Sequence, residues 1–216
     1  MTTHPIIIPQ ALIPALKDGR KHQHREVLRP QPEWRDGAWY WSSPKYDNGL
    51  GCHYLHTVSL TGIMKAWTKA MPYAIGDKLW VQEDFMVHPC ALPENDPADH
   101  ICYRADGFGD AKLDRIFDEI GWDAAETMPE RFSRFTLLVT DIRIQRLQEV
   151  SEEDALHEGL IRKLGNDPCR WSGDGHRFWD CPREAYRDHW NATHKPGEQF
   201  EGNPWVIASE IKACKE

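Results

Sequence analysis

One stretch in the second half of the chain, residues 134–147, constrains the fold more than any other. Its first half places three apolar side chains at a period of two: Phe135, Leu137 and Val139. This period is typical of a strand with one buried face. Ile142 and Ile144 continue the apolar set in the opposite phase, which predicts a β-bulge near Thr140 and Asp141. Long bulged strands are typical of small closed barrels, so we expect the sheet to curl.

The segments around this strand predict further strands and several short helices. Gly76 and Asp77 form a turn into a strand with Leu79 and Val81 on one face. Ser151 is a good helix N-cap. The predicted helices cover 10–18 (or begin at Pro14 and end before Gly19), 111–120, 152–158 and 183–192. The predicted strands cover 78–83, 101–104, 134–147 and a closing strand at 205–211, with Trp39, Tyr40 and Trp41 as an edge strand.

This arrangement predicts an α+β fold: a small β-barrel with flanking short helices and long loop insertions. We expect a single domain over residues 1–216, with insertions at 30–74, 88–132 and 162–181. The chain contains no GxGxxG, Walker A or HExxH sequence, and the order of its elements does not match a doubly wound fold.

Composition and charge narrow the class of partner. The net charge is -8 and the sequence pI is about 5.8, which disfavours broad binding of duplex nucleic acid. A local basic groove or a pocket for one nucleoside remains compatible with this charge. The chain has 10 Trp residues, and such a surplus often includes rings that stack on a base or a partner.

The 6 cysteines form no CxxC pair, and the sequence shows no signal peptide and no apolar run of membrane-spanning length. We therefore expect reduced thiols in a cytoplasmic protein without membrane contact. Two loose groups are the alternative zinc ligands: Cys52, His53 and His56, and Cys169, His176 and Cys181. Their spacings match no standard zinc pattern, so no metal and no cofactor is predicted.

Four blocks, taken in order, resemble the ASCH family of the PUA-like superfamily. They are GRKHQHR at 19–25, GDKLWVQE at 76–83, the long strand leading into SEEDALHEG at 151–159, and NPWV at 203–206. The first resembles the family's GRKTxTxR block, and the second its GDxLxVxE strand. The resemblance covers about half of the chain and is closest to the larger ASCH-like proteins encoded by phages and prophages. It implies a PUA-like β-barrel that handles RNA or modified nucleosides, in the host cell cytoplasm if the chain is phage-encoded.

The resemblance also implies catalytic residues. In family members that hydrolyse acylated pyrimidine nucleosides, the chemistry uses a lysine, a threonine three places later and a glutamate on the acidic helix. The matching positions are Lys21, His24 and Glu158. Imidazole does not replace an alcohol nucleophile, although it can serve as a general base for water. The plain alternatives are a solvated Lys21, a structural His24 and a surface Glu158.

Three functions follow as hypotheses. The first is a barrel cleft that binds RNA, single-stranded nucleic acid or a nucleoside. The residues expected near its rim are Lys21, His24, Arg25 and Arg104. Its candidate nucleic-acid contacts are Arg20, Arg25, Trp80 and Arg104. The second is a hydrolase, either a nucleoside amidohydrolase or a ribonuclease, that uses Lys21 and Glu158. The third is a phage accessory or assembly protein that acts through protein contacts.

Overall fold

The long strand lies at the centre of a five-stranded sheet in the computed structural model, which describes residues 2–29, 31–35, 38–42, 54–57, 72–88, 96–163 and 170–214. The strands are β1 (Thr3–Ile7), β2 (Gln23–Val27), β3 (Glu33–Arg35), β4 (Ala38–Ser42), β5 (Tyr54–Thr57), β6 (Lys78–Gln82), β7 (Phe85–Val87), β8 (Ile101–Tyr103), β9 (Thr136–Arg146), β10 (Ile161–Lys163), β11 (Arg170–Ser172) and β12 (Trp205–Ala213). The α-helices are α1 (Ile13–Lys17), α2 (Ala111–Ile120), α3 (Glu152–His157) and α4 (Pro182–Thr193). Short 3-10 turns lie at Gln10–Leu12, Pro97–His100, Arg104–Asp106, Ala125–Thr127, Glu130–Phe132, Leu147–Glu149 and Phe200–Gly202.

The main sheet has the order β1-β6-β9-β12-β2. β1 and β6 pair in parallel, and the other three pairings are antiparallel, so the fold is mixed α and β as expected. Within the described residues, the pairings leave the sheet open between β1 and β2. The segment 205–211, expected to close the sheet, lies inside it, because β12 pairs with β9 on one side and β2 on the other.

The predicted bulge in β9 is confirmed. Glu210 of β12 lies opposite Asp141, and the next residue, Ile211, lies opposite Val139. Thr140 is therefore the extra residue, and its hydroxyl donates to the Glu210 carbonyl at 3.3 Å. The bulge changes the phase of the apolar pattern and keeps both halves of the strand packed on a core.

The expectation of an edge strand at 39–41 is wrong. β4 is the middle strand of a separate three-stranded sheet, with β3 and β5 on its two sides. The two partners are too short to stand out in a sequence by alternation, since each has four residues or fewer. This sheet lies within the region predicted as an insertion at 30–74, of which residues 30, 36–37, 43–53 and 58–71 lie outside the described residues.

Two apolar clusters pack against the main sheet. The first joins α1 to β1, β6 and β9, with Leu79 and Leu137 fully buried at its centre. The second joins α3 and α4 to β2 and β12, and it includes Val27, Trp190 and Val206. The edge strands β1 and β2 thus belong to different clusters.

Helix α2 coincides with its predicted range, 111–120. Its apolar residues have helical spacing, yet Leu113, Ile116 and Ile120 remain 42%, 41% and 58% exposed. Among the helices in the described ranges, none is long and apolar enough to cross a bilayer.

Candidate functional site

The two edge strands of the main sheet line one cavity of about 440 Å³. β1 contributes Pro5, Ile6 and Ile7, Pro9 follows two residues after its end, and β2 contributes residues 24–27. The edges therefore face each other across the gap that the strand pairings leave open. Helix α4 adds a wall from one face, at positions i, i+3, i+4 and i+7: Tyr186, His189, Trp190 and Thr193.

A buried ion pair between Lys21 and Glu158 forms part of the cavity lining. The Lys21 ammonium donates to the Glu158 carboxylate at 2.7 Å, to the Glu158 carbonyl at 3.1 Å and to the Gln23 carbonyl at 2.8 Å. The side chains are 0% and 5% exposed, which contradicts the plain alternatives of a solvated Lys21 and a surface Glu158. Lys21 lies at the turn from α1 into β2, and Glu158 lies at the C-terminus of α3.

Gly159 lets these two elements approach closely. Its φ is +100°, and a Cβ built there would lie 2.7 Å from the Ala15 Cβ and 3.2 Å from the Lys21 Cβ. A side chain at this position would therefore push α3 away from Lys21. Gly159, which follows the C-terminus of α3, therefore lets that terminus lie close enough to Lys21 for the contact with Glu158.

Arg25 adds a second buried cation to the same carboxylate. Its Nη1 donates to Glu158 Oε1 at 2.7 Å and to the Gln23 side-chain oxygen at 2.9 Å, and its Nη2 lies 3.2 Å from Asp154 Oδ2. The Gln23 amide in turn donates to Asp154 and Glu210, at 2.7 Å each. Two cations and two carboxylates are thus held in one network beside the cavity, which we call the site cluster: Lys21, Arg25, Asp154 and Glu158.

Burial and charge act in opposite directions on this pair. Burial lowers the pKa of Lys21, and the attraction of Glu158 only partly offsets this effect. Burial alone would raise the pKa of Glu158, but Lys21 and Arg25 outweigh it and hold that pKa below its usual value. Glu158 is therefore a carboxylate at neutral pH, while the Lys21 amine loses its proton more readily than an exposed lysine.

His24 lines the same cavity but lies outside this network. Its Nε2 is 3.3 Å from Glu26 Oε1. Among the described residues, no hydrogen bond joins His24 to Lys21 or Glu158. The three residues that the resemblance implies as catalytic thus share one cavity, and two of them are in direct contact.

The four residues predicted to contact nucleic acid separate into two groups. Arg25 lines the cavity, whereas Arg20, Trp80 and Arg104 do not. Arg20 donates to the carbonyls of Gly159 and Leu160, both at 3.1 Å, and so ties α1 to the end of α3. Arg104 pairs with Asp84 and Asp118. Trp80 is half-buried on β6.

Tyr186 was absent from the sequence-predicted site. Its side chain lines the cavity and the residue is 2% exposed, yet within the described ranges its hydroxyl has no hydrogen-bond partner. A buried hydroxyl without a partner is uncommon and costs free energy. The spacing of Tyr186 and Trp190 already indicated one helix face. Extending that face by i+3 and i+7 would have added His189 and Thr193.

His189 is held against the turn that follows β11. A Cβ built on Gly173 would lie 2.3 Å from the His189 Cβ and 2.7 Å from its Nδ1, so only glycine fits there. Burial lowers the pKa of His189, and the nearby charge of Lys21 lowers it further. The imidazole is therefore neutral at pH 7. No described residue hydrogen-bonds to its ring nitrogens.

The zinc groups considered from the sequence fall largely outside the described residues, which exclude Cys52, His53 and Cys169. Where the chain is described, no three His, Cys, Asp or Glu side chains are grouped as metal ligands. Cys102, Cys181 and Cys214 are free thiols.

No protein-family model matches the sequence, and neither the curated proteins nor the solved structures include a significant match. The four sequence blocks therefore carry the ASCH resemblance by themselves.

Proposed function

We propose that the protein binds a nucleoside in the cavity between β1 and β2, either free or as one unstacked residue of RNA or single-stranded DNA. In this proposal the curved main sheet is a PUA-like barrel of the ASCH type, and the cavity is the gap in its wall. The observation that carries the proposal is the buried Tyr186 hydroxyl, which lines the cavity without a partner beside the Lys21–Glu158 pair.

The size and chemistry of the cavity fit such a ligand. Its volume of about 440 Å³ lies in the range of small-molecule pockets, typically about 300–1,000 Å³. Trp190 and His194 both line it, with their ring centroids stacked 3.7 Å apart, so part of its wall is aromatic. One nucleoside needs no broad basic face, which agrees with the net charge of -8.

Fluorescence titration tests the proposal, because Trp190 lines the cavity and reports on its contents. The probes are uridine, cytidine, adenosine and guanosine, their 5′-monophosphates, and short single-stranded RNA and DNA. We expect saturable binding of at least one nucleoside by the wild-type protein. A folded protein that binds none of these probes would contradict the proposal and favour a role in protein contacts.

A matched pair of variants locates the site. Tyr186→Phe removes the unpartnered hydroxyl and should leave stability unchanged or slightly higher while weakening nucleoside binding about 3- to 10-fold. Tyr103→Phe is the control, because the Tyr103 hydroxyl donates to the Phe132 carbonyl at 2.8 Å and neither residue lines the cavity. That variant should lose about 1 kcal/mol of stability and keep its affinity. Equal affinity in the two variants would place the ligand elsewhere.

A second candidate function is hydrolysis of an acylated pyrimidine nucleoside. The specific observation in its favour is a buried Lys21 with a lowered pKa, hydrogen-bonded to Glu158. In this reaction an unprotonated base, Lys21 or His24, takes a proton from water. The water oxygen adds to the acyl carbon, the carbon–nitrogen bond breaks, and the proton passes to the leaving amine.

Chromatography of N4-acetylcytidine incubated with the protein tests this second function. We expect cytidine and acetate in equal amounts, with turnover lost in Lys21→Met and unchanged in Arg104→Gln. Cleavage of a single-stranded RNA under the same conditions would favour the ribonuclease alternative. Binding without either product would leave the protein as a binding module.

A further inference from the structure

The peptide groups of β1 alternate between β6 and the open edge. Lys78 N–H donates to the Thr2 carbonyl at 2.9 Å, and Ile8 N–H donates to the Gln82 carbonyl at 3.4 Å. Even-numbered residues of β1 therefore bond to β6, as parallel pairing requires. The N–H and C=O groups of Ile7 and the carbonyl of Pro5 point to the open edge. Pro5 lacks an N–H, and proline is tolerated at such outward positions of an edge strand.

The peptide groups of β2 alternate in the same way. Leu28 N–H donates to the Trp205 carbonyl at 2.9 Å, and Ile211 N–H donates to the His22 carbonyl at 2.8 Å. Even-numbered residues thus bond to β12, in agreement with the antiparallel register. The main-chain groups of Arg25 and Val27 point away from β12, toward the open edge.

These outward residues, Pro5, Ile7, Arg25 and Val27, all line the cavity. In the part of the chain that the structure describes, no other residue hydrogen-bonds to the outward main-chain groups of Ile7, Arg25 or Val27. Main-chain N–H and C=O groups need partners when water is displaced from them. A ligand that enters this gap therefore meets main-chain donors and acceptors from two opposing strand edges.

We propose that these two edges read the base of the bound nucleoside by main-chain hydrogen bonds, with Ile7 on one side and Arg25 and Val27 on the other. A nucleobase is planar and carries donors and acceptors around its rim, so it can lie in the gap and satisfy both edges. This inference rests on the proposed function and adds that the base is the part that the strand edges recognise. An inserted peptide strand is the other occupant that two free edges accept. The cavity disfavours it, because its small volume and its walls from Lys21, Glu158 and α4 suit a compact ligand.

Proline substitution removes one edge donor and leaves the rest of the sheet in place. Ile7→Pro deletes the outward N–H, while Ile6 and Ile8 keep their bonds to β6, and the Ile7 side chain is 42% exposed. Thr3→Pro is the matched control, because Thr3 is also an outward residue of β1 but does not line the cavity. We expect Ile7→Pro to weaken nucleoside binding about 3- to 10-fold and Thr3→Pro to change it less than about twofold.

Methylated bases test the main-chain carbonyls of the two strand edges, which would accept from base N–H groups. The probes are uridine against 3-methyluridine and adenosine against N6,N6-dimethyladenosine, since each methylated form lacks base N–H donors. We expect the wild-type protein to bind the methylated member at least about tenfold more weakly, because an outward main-chain carbonyl then lacks its donor. Ile7→Pro keeps these carbonyls and should discriminate to a similar extent.

The outcomes distinguish the two proposals. Nucleoside binding that is equal in Ile7→Pro and Thr3→Pro, with no discrimination against methylated bases, overturns the main-chain reading and leaves the proposed function standing. Absence of nucleoside binding in the wild-type protein defeats the proposed function itself. If the protein binds an extended peptide and no nucleoside, the gap is a site for an inserted peptide strand and the proposed function is wrong. Should Ile7→Pro fail to fold, the methylated bases on the wild-type protein decide the question.

Discussion

Two charge networks among the described residues are each centred on a buried carboxylate, and they differ in what surrounds them. The first is the site cluster beside the cavity. The second, which we call the outer cluster, consists of Lys17, Glu83, Asp106 and Arg134. Glu158 and Glu83 are equally well buried, at 4% and 2% exposed. Burial of a carboxylate with cationic partners is therefore common to both places.

In the outer cluster each charged side chain has an oppositely charged partner. Arg134 donates two hydrogen bonds to the Glu83 carboxylate, of 2.8 and 2.7 Å. Its guanidinium carbon lies 3.9 Å from the centroid of the Tyr103 ring. The site cluster borders a cavity, and among the described residues Arg25 Nε and the Tyr186 hydroxyl have no hydrogen-bond partner. The site cluster thus combines buried charge with a cavity and with donors that lack a described partner, and this difference is what motivates the proposed ligand site.

The largest expected effect comes from removing the central carboxylate of each network. Glu158→Ala should lower the free energy of unfolding by about 3–5 kcal/mol, because the buried Lys21 and Arg25 lose their shared partner. Glu83→Ala should lower it less, because Arg134 is 19% exposed and keeps its pair with Asp106. The two variants should differ in how much added ligand stabilises them. A nucleoside at about 100 times its Kd should raise the unfolding free energy of the wild-type protein and of Glu83→Ala by about 2.7 kcal/mol. Urea unfolding with and without nucleoside measures both quantities.

Glu158→Ala should lose most of this ligand stabilisation. If the alanine variants do not fold, Glu158→Gln and Glu83→Gln replace them in the same measurement, because glutamine removes the charge but keeps the size of the side chain. Equal ligand stabilisation in the two variants would remove the distinction between the clusters.

A smaller effect is expected at the turn that supports His189. Gly173→Ala places a Cβ 2.3 Å from the His189 Cβ, an atom that side-chain rotation cannot move, so the backbone must shift. We expect a loss of about 1–3 kcal/mol in unfolding free energy and weaker nucleoside binding. Thermal unfolding and fluorescence titration provide the two readouts. An unchanged affinity would show that the position of His189 is irrelevant to the ligand.

The smallest effect concerns the pH dependence of stability. The pKa of His189 is lowered in the folded protein, so the unfolded chain binds this proton more readily below the ordinary value of 6.5. Its contribution to stability is complete above that pH and is lost as pH falls. Between pH 7 and 5, His189→Gln should therefore lose less stability than the wild-type protein.

Much of the fold could be predicted because its signals are local. The alternation around Val139 predicted β9 and its bulge, and Ser151 caps α3 by accepting from Asp154 N–H at 3.0 Å. Strand neighbours could not be predicted in the same way. The segment 205–211 was expected to close the sheet, but β12 is buried at five successive residues, 205–209, because it has a neighbouring strand on each side. Which strands lie beside it depends on segments that are distant along the chain.

The site was predicted in part for a related reason. Sequence blocks drew attention to Lys21 and Glu158, which lie 137 positions apart and are in contact. The same reasoning treated Arg25 and Arg104 alike, although the fold buries one beside the cavity and pairs the other with Asp84. Charge type is visible in a sequence, whereas burial depends on elements that are distant along the chain.

The sequence by itself determined the α+β class, the long bulged strand and the residue types of the ion pair, because periodicity and capping act over a few residues. Only the tertiary structure decided that the edges of β1 and β2 face each other across a cavity, and that α4 lays Tyr186 and His189 against it. The physical reason is that cavities form where separate elements fail to fill the space between them. That mismatch depends on how strands of distant sequence curve and pair, which local patterns do not encode.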